Sequence, residues 1–300
     1  MLRARWNKLG LAVCWLMVCA LAQATSTTIT YPRPESNTDL RYVYYWRLME
    51  AALDRTQAEY GPVVLQQTPF SMNAQRCMEK LLDGSIQVAL RSVMPPEYAD
   101  RLDMVPVPLD KGLLGYRVFL IHSDTQARLA QVSTLDDLRA FRIGQGLGWD
   151  DLAILAQARM QVVQGASYDG LFQMLERKRF DLFPRGINEV LAEYRQHRST
   201  EPDLAIDDAL LLYYPLSRYF AVKKGPEGDA LKARLALGLA RLRADGGMDR
   251  MYAGFKKEVL RGLPLKGRKL IRLDNPSYAQ PVYGLDKKEY WDALTAELRP

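Results

Sequence analysis

LLGYRVFLIH (Leu113–His122) and LLLYYPLSRYFAV (Leu210–Val222) are two long apolar runs rich in branched and aromatic side chains, the composition of buried strands. The first carries the chain out of one set of short elements into a second, and the second brings it back. Around them, from Thr27 to about Lys224, short apolar runs alternate with amphipathic segments, which predicts an α/β chain. The first set reads as a strand at Thr27–Tyr31, a helix over Asp39–Thr56, a strand at Val63–Gln67, a helix over Asn73–Leu82 and a strand at Ile86–Leu90. In the first helix Tyr45, Trp46, Met49 and Leu53 fall at helical spacing, so they are expected in the core.

The second set reads as a short helix capped by Ser133 or Thr134, then Phe141–Gly144 (strand), Asp150–Arg159 (helix), Val162–Val163 (strand), Tyr168–Arg177 (helix), Phe180–Phe183 (strand) and Ile187–Gln196 (helix). Helices at Glu227–Ala244 and Met248–Val259 close the body, and the tail from Leu263 is expected to be irregular until Lys287–Leu298. Leu81–Ser92 and Leu175–Gly186 share one order of helix end, turn, apolar strand and arginine, which matches Arg91 with Arg185. Both arginines would then stand at carboxyl ends of strands, where open α/β sheets bind ligands.

At the amino terminus, Arg3, Arg5 and Lys8 precede an apolar run over Leu9–Ala22 and the triplet Ala22, Gln23, Ala24. That order predicts a cleavable signal peptide over 1–24. About 14 apolar residues are too few for a permanent span, which takes about 20, and Cys19 lacks the small preceding residue of a lipid-anchor site. The segment accounts for three of the six net positive charges and two of the three cysteines. The remaining excess of three is no footprint for nucleic acid, and Cys77 alone builds no disulfide framework.

Enzymatic signatures are nearly absent: there are two histidines, His122 and His197, and no zinc-protease helix, paired-cysteine or nucleophile-elbow motif. No metal and no cofactor is indicated. The passage IGQGLGWDD (Ile143–Asp151) departs from a dinucleotide fingerprint at Trp149. It predicts a glycine turn at a helix start, whose backbone N–H groups at Gln145 and Gly146 would take an anionic or polar group, with Trp149 as a stacking face. Arg91 and Arg185 would hold a carboxylate or phosphate in forked geometry. Glu35, after the first strand, and Asn188, after Arg185, complete the candidate set.

DMVPVPLDKGLLGYRVFLI (Asp103–Ile121), STLDD (Ser133–Asp137), IGQGLG (Ile143–Gly148) and the return at Tyr213–Val222 together resemble the type II periplasmic solute-binding proteins, in the style of polar amino acid receptors. The resemblance covers roughly Thr27–Phe255. It implies a two-lobe fold with lobe 1 over 25–114 and 217–262, lobe 2 over 115–216, an extension over 263–300, and two hinge strands that close over a small solute. It also implies a noncatalytic, monomeric periplasmic protein that serves an inner-membrane permease, or a signalling receptor on the same fold. Those receptors usually carry an acid after the strand matching Phe180–Phe183, where this chain has Pro184, Arg185 and Gly186, and an arginine where it has Pro96, Glu97 and Tyr98. The departures shift the expectation from an α-amino acid toward an anionic or peptide-like solute. An enzyme recruited onto the fold, such as a small-acid dehydratase, would need Glu35 as its titrating group.

Overall fold

The computed structural model describes residues 26–37, 39–279 and 287–298; the expected signal over 1–24 lies outside them. The chain is α/β, and its described residues build three sheets. β1 (Thr27–Arg33) and β2 (Val63–Ser71) pair in parallel, Thr27 beside Val63 and Tyr31 beside Gln67. Between them lie α1 (Val43–Asp54) and α2 (Gln57–Tyr60). The α1 stripe Tyr45, Trp46, Met49 and Leu53 is buried, as its spacing requires. α3 (Ala74–Asp83) starts at Asn73, whose side chain accepts from the Arg76 N–H, and ends at Gly84 in the left-handed conformation. It leads to β3 (Ala89–Arg91) and β4 (Leu102–Met104).

The second set comprises β5 (Tyr116–His122), α4 (Gln126–Leu129), α5 (Leu135–Leu138), β6 (Arg142–Gly146), α6 (Asp151–Gln157), β7 (Gln161–Gly165), α7 (Tyr168–Glu176), β8 (Leu182–Gly186), α8 (Val190–His197), β9 (Leu204–Ile206) and β10 (Leu210–Tyr213). Then follow β11 (Tyr219–Lys223), α9 (Pro226–Ala244), α10 (Gly247–Val259), β12 (Lys269–Arg272) and α11 (Thr295–Leu298). The large sheet runs β12-β10-β5-β8-β6-β7, with β9 also on β5, and the small one runs β3-β11-β4. β5 explains its own unbroken apolar run: Val118 and Leu120 enter one apolar cluster, Phe119 and Ile121 another, so both faces are covered.

The run Leu210–Val222 is not one hinge strand. It divides into β10 and β11, which belong to different sheets. Pro215 has no N–H to continue a ladder, and Gly115 lies so close that a Cβ there would stand 2.2 Å from the Tyr214 carbonyl oxygen. The long strand expected at Leu113 likewise opens with a 3-10 turn, Leu113–Gly115, before β5 begins. The chain therefore crosses between the two sheets at 105–115 and 214–218. The crossings are tied by Leu109 N to Arg218 O (2.9 Å) and Tyr214 N to Gly115 O (3.2 Å).

The tail also differs from expectation, because β12 pairs in parallel with β10, Leu210 beside Lys269 through Tyr213 beside Arg272. Four residues, Lys-Leu-Ile-Arg, are too few to display a strand period in sequence. Beyond β12 the tail clasps both crossings. Ser217 N donates to Tyr278 Oη (2.7 Å), Asn275 Nδ2 to Pro215 O (2.8 Å), and Asp292 N to Lys111 O (2.8 Å). The expected helix over Lys287–Leu298 reduces to a 3-10 turn at Lys288–Tyr290 and α11. No helix among the described residues is long and apolar enough to cross a membrane.

Candidate functional site

A cavity of about 60 Å3 is walled by the end of β1, the start of α1, the end of β3, β5, the turn after β6, the end of β8 and the return crossing. Six arginines line it, Arg33, Arg41, Arg91, Arg117, Arg185 and Arg218, against four carboxylates, Glu35, Asp150, Asp151 and Glu189. The strands explain the convergence. β6 and β8 run parallel and both deliver their carboxyl ends to this place.

Buried charges persist only when paired, and apart from the exposed Arg33 these are. Arg41 Nε lies 2.8 Å from Asp39 Oδ1, and its Nη2 lies 2.9 Å from Glu35 Oε1. Arg185 forks onto Glu193 at 2.7 Å through both Nε and Nη2, and reaches Glu189 at 3.0 Å. Arg117 Nη2 lies 2.8 Å from Asp151 Oδ2, which also accepts from the Tyr214 hydroxyl at 2.5 Å. Asp150 takes Arg91 Nη2 on Oδ1, and on Oδ2 the Ser92 N–H (2.7 Å) and Arg218 Nη1 (3.3 Å). Burial alone would lower the pKa of Arg185, but Glu193 and Glu189 raise it on balance. Burial would raise that of Glu189, but Arg185 and Arg117 hold its carboxyl below the ordinary value. Both members of the pair stay charged.

Of the seven residues expected from sequence, Glu35, Arg91, Trp149 and Arg185 line the cavity, and the matched pair Arg91 and Arg185 does meet there. Gln145, Gly146 and Asn188 are not among its lining residues. Gly146 lies under Trp149, where a Cβ would approach the indole to 2.2 Å. Gln145 is fully buried, and neither its amide atoms nor the buried ones of Asn188 have a partner among the described residues. The Trp149 ring is also already engaged: the guanidiniums of Arg41 and Arg185 sit 5.1 and 4.8 Å from its centroid, and Phe183 stacks on it at 6.1 Å. The start of α6 presents the carboxylates of Asp150 and Asp151 where free backbone N–H groups were expected. Acids are favourable at that end of a helix, and these two are claimed by the arginines.

Sequence reasoning missed Arg41, Arg117, Arg218, Asp150, Asp151 and Glu189. A signal was present for two of them. Arg117 interrupts the apolar run Leu113–His122 and Arg218 the run Leu210–Val222, and a charge within a buried apolar run calls for a buried partner. Trp46 and Cys77 also line the cavity. Burial, opposed by Arg91, pushes the Cys77 thiol up to about 12. Three buried N–H groups on lining residues lack a partner among the described residues: Trp46 Nε1, Arg91 Nε and Arg117 Nε. All three are donors.

No protein-family model and no curated protein matches the sequence. Solved structures do match. An ancestral arginine-binding protein bound to arginine is 17% identical with a TM-score of 0.55, over 76% of this chain and 97% of that one. A periplasmic binding protein of high arginine specificity from Salmonella typhimurium is 18% identical with a TM-score of 0.56, over 76% and 99%. A histidine kinase sensor domain with similarity to periplasmic binding proteins is 17% identical with a TM-score of 0.55, over 77% and 96%. At such identities the likeness establishes the fold, an α/β fold of the periplasmic-binding-protein kind.

Proposed function

We propose that this chain is a noncatalytic, monomeric solute-binding protein of the periplasm, which captures a small polar solute bearing an anionic or acceptor group and delivers it to an inner-membrane transporter. Residues 25–114 and 217–262 form one lobe and 115–216 the other, and closure turns on the paired crossings at 105–115 and 214–218. The observation that carries the reading is the chemistry of the cavity wall. The buried polar groups on lining residues that lack a partner among the described residues, on Trp46, Arg91 and Arg117, are N–H donors, which match an oxyanion or carboxylate. Arginine-binding structures share the fold, but the unpartnered groups on this wall are donors, which suit an acceptor group on the solute.

Native mass spectrometry of the freshly purified protein, followed by calorimetry with any co-purified molecule, tests this. Arg91→Ala and Arg185→Ala are expected to weaken that ligand at least tenfold. Unchanged affinity in both would remove the site. The resemblance to a histidine kinase sensor domain supports a second reading, in which the partner is a signalling receptor. Genes for a permease and an ATPase beside this one favour transport, and a membrane kinase favours sensing.

A further inference from the structure

We propose that Asp150 is an internal latch: its carboxylate occupies the seat that Arg91, Ser92 and Arg218 offer to an anion, so an incoming solute must compete with it. This rests on the solute-binding reading above and concerns the control of the same site. Asp150 follows the turn after β6, within 115–216. Its partners all come from the small sheet and the return crossing: Arg91 at the end of β3, the Ser92 N–H at 2.7 Å, and Arg218 at 3.3 Å. Two guanidiniums and a backbone N–H converging on both oxygens form the donor set that holds a carboxylate or phosphate.

The neighbouring acid shows the contrast. Asp151 is held by Arg117 of β5 and by the Tyr214 hydroxyl at the start of the return crossing, directly after β10, so its partners belong to the large sheet and the chain leaving it. Asp150 alone of the two reaches the small sheet, and Arg91 Nη1 adds a contact to the Gly148 carbonyl at 3.5 Å in the same turn. The residue is 7% exposed, so water screens the pair little. Being part of the same fold, the carboxylate meets its arginines without the entropic cost that a free anion pays on binding. Solute affinity is therefore reduced by the fraction of molecules in which the latch is shut.

Asp150→Asn keeps the shape of the side chain and removes its charge. In the full chain with Cys14 and Cys19 replaced by serine, Cys77 is the sole thiol, and it lines the same cavity. Two readouts follow: calorimetric titration with inorganic phosphate, acetate and succinate, and the rate at which Cys77 reacts with a disulfide reagent. The latch predicts at least tenfold faster Cys77 labelling in the variant and at least tenfold tighter binding of one of these anions, with protection of Cys77. Labelling and anion affinity equal to wild type in a folded variant overturn it. If Cys77 labels faster but none of these anions binds the variant more tightly, Asp150 does not compete with an anion and the latch is overturned; the solute reading fails separately, when native mass spectrometry and calorimetry find no bound molecule. Should the variant not fold, Arg218→Gln removes one arm of the seat and is expected to speed labelling about threefold; an unchanged rate overturns the latch.

Discussion

Arg185→Met is the substitution whose outcome the structure constrains most tightly. Arg185 is 2% exposed and forks onto Glu193 at 2.7 Å twice, with Glu189 at 3.0 Å. Methionine keeps an unbranched chain against Trp149 and Phe183, so the change reads out charge more than volume. Glu193 retains the Tyr168 hydroxyl at 2.9 Å, and Glu189 retains the Gly186 N–H at 3.1 Å with Arg117 at 3.6 Å. Two carboxylates would be left buried with their main cation gone, and breaking such a pair costs about 3–5 kcal/mol. At about 2.1 cal/mol/K per residue, for a chain of this size that corresponds to a fall in Tm of about 5–9 °C.

The loss should depend on pH with a defined sign. In the wild type burial raises the pKa of Glu189, but Arg185 and Arg117 bring it below the ordinary 4.5. That depression contributes stability that is present above 4.5 and is lost as pH falls through the folded value. Without Arg185 the contribution disappears, so the variant is worst at neutral pH and converges on wild type in acid. Adding Glu193→Leu should recover most of the loss, because replacing a buried pair with apolar groups is often neutral. Urea unfolding at pH 7 and near pH 2, the folded value of Glu189, followed by tryptophan fluorescence, measures all three. A loss under about 1 kcal/mol at pH 7, far below the buried-pair range, would refute the reasoning.

The His197 ring stacks on Phe172 at 3.6 Å, and burial lowers its pKa below 6.5 against the opposing pull of Asp169 and Glu193. Stability should therefore fall as pH drops through 6.5 toward the folded value, and His197→Gln should flatten that part of a plot of urea midpoint against pH. Gly146→Ala places a Cβ 2.2 Å from the Trp149 ring, so the indole must move. A destabilisation of about 1–3 kcal/mol and a shifted tryptophan emission are expected. Trp291 stands over Gly112 at the first crossing; Trp291→Ala should cost about 1–3 kcal/mol, less than the full range for a buried tryptophan because the ring is half-exposed. Thermal unfolding monitored by circular dichroism checks it.

The α/β class, the buried stripe of α1 and the placing of Arg91 and Arg185 at strand ends were legible because they are local: each follows from a repeat of two or 3.6 residues, or from a turn next to an apolar run. The position of Glu35 beside the cavity was likewise readable from its place after β1. The division of Leu210–Val222 between two sheets was not. Apolar composition reports burial, and both halves are buried; which sheet each half joins depends on partners far away in the chain.

The same limit applied to the site. Sequence by itself determined an α/β chain with arginines delivered to the ends of two strands, because hydrophobic period and turn chemistry are properties of neighbouring residues. Only the tertiary structure decided that Arg91 meets Asp150, 59 residues on, and that Tyr214 meets Asp151, 63 residues away. It also decided that the glycine turn before α6 carries carboxylates to the cavity and that the tail returns as β12 to clasp both crossings. Such pairings are set by how the elements pack, and a buried charge finds its partner across space, where sequence separation leaves no mark.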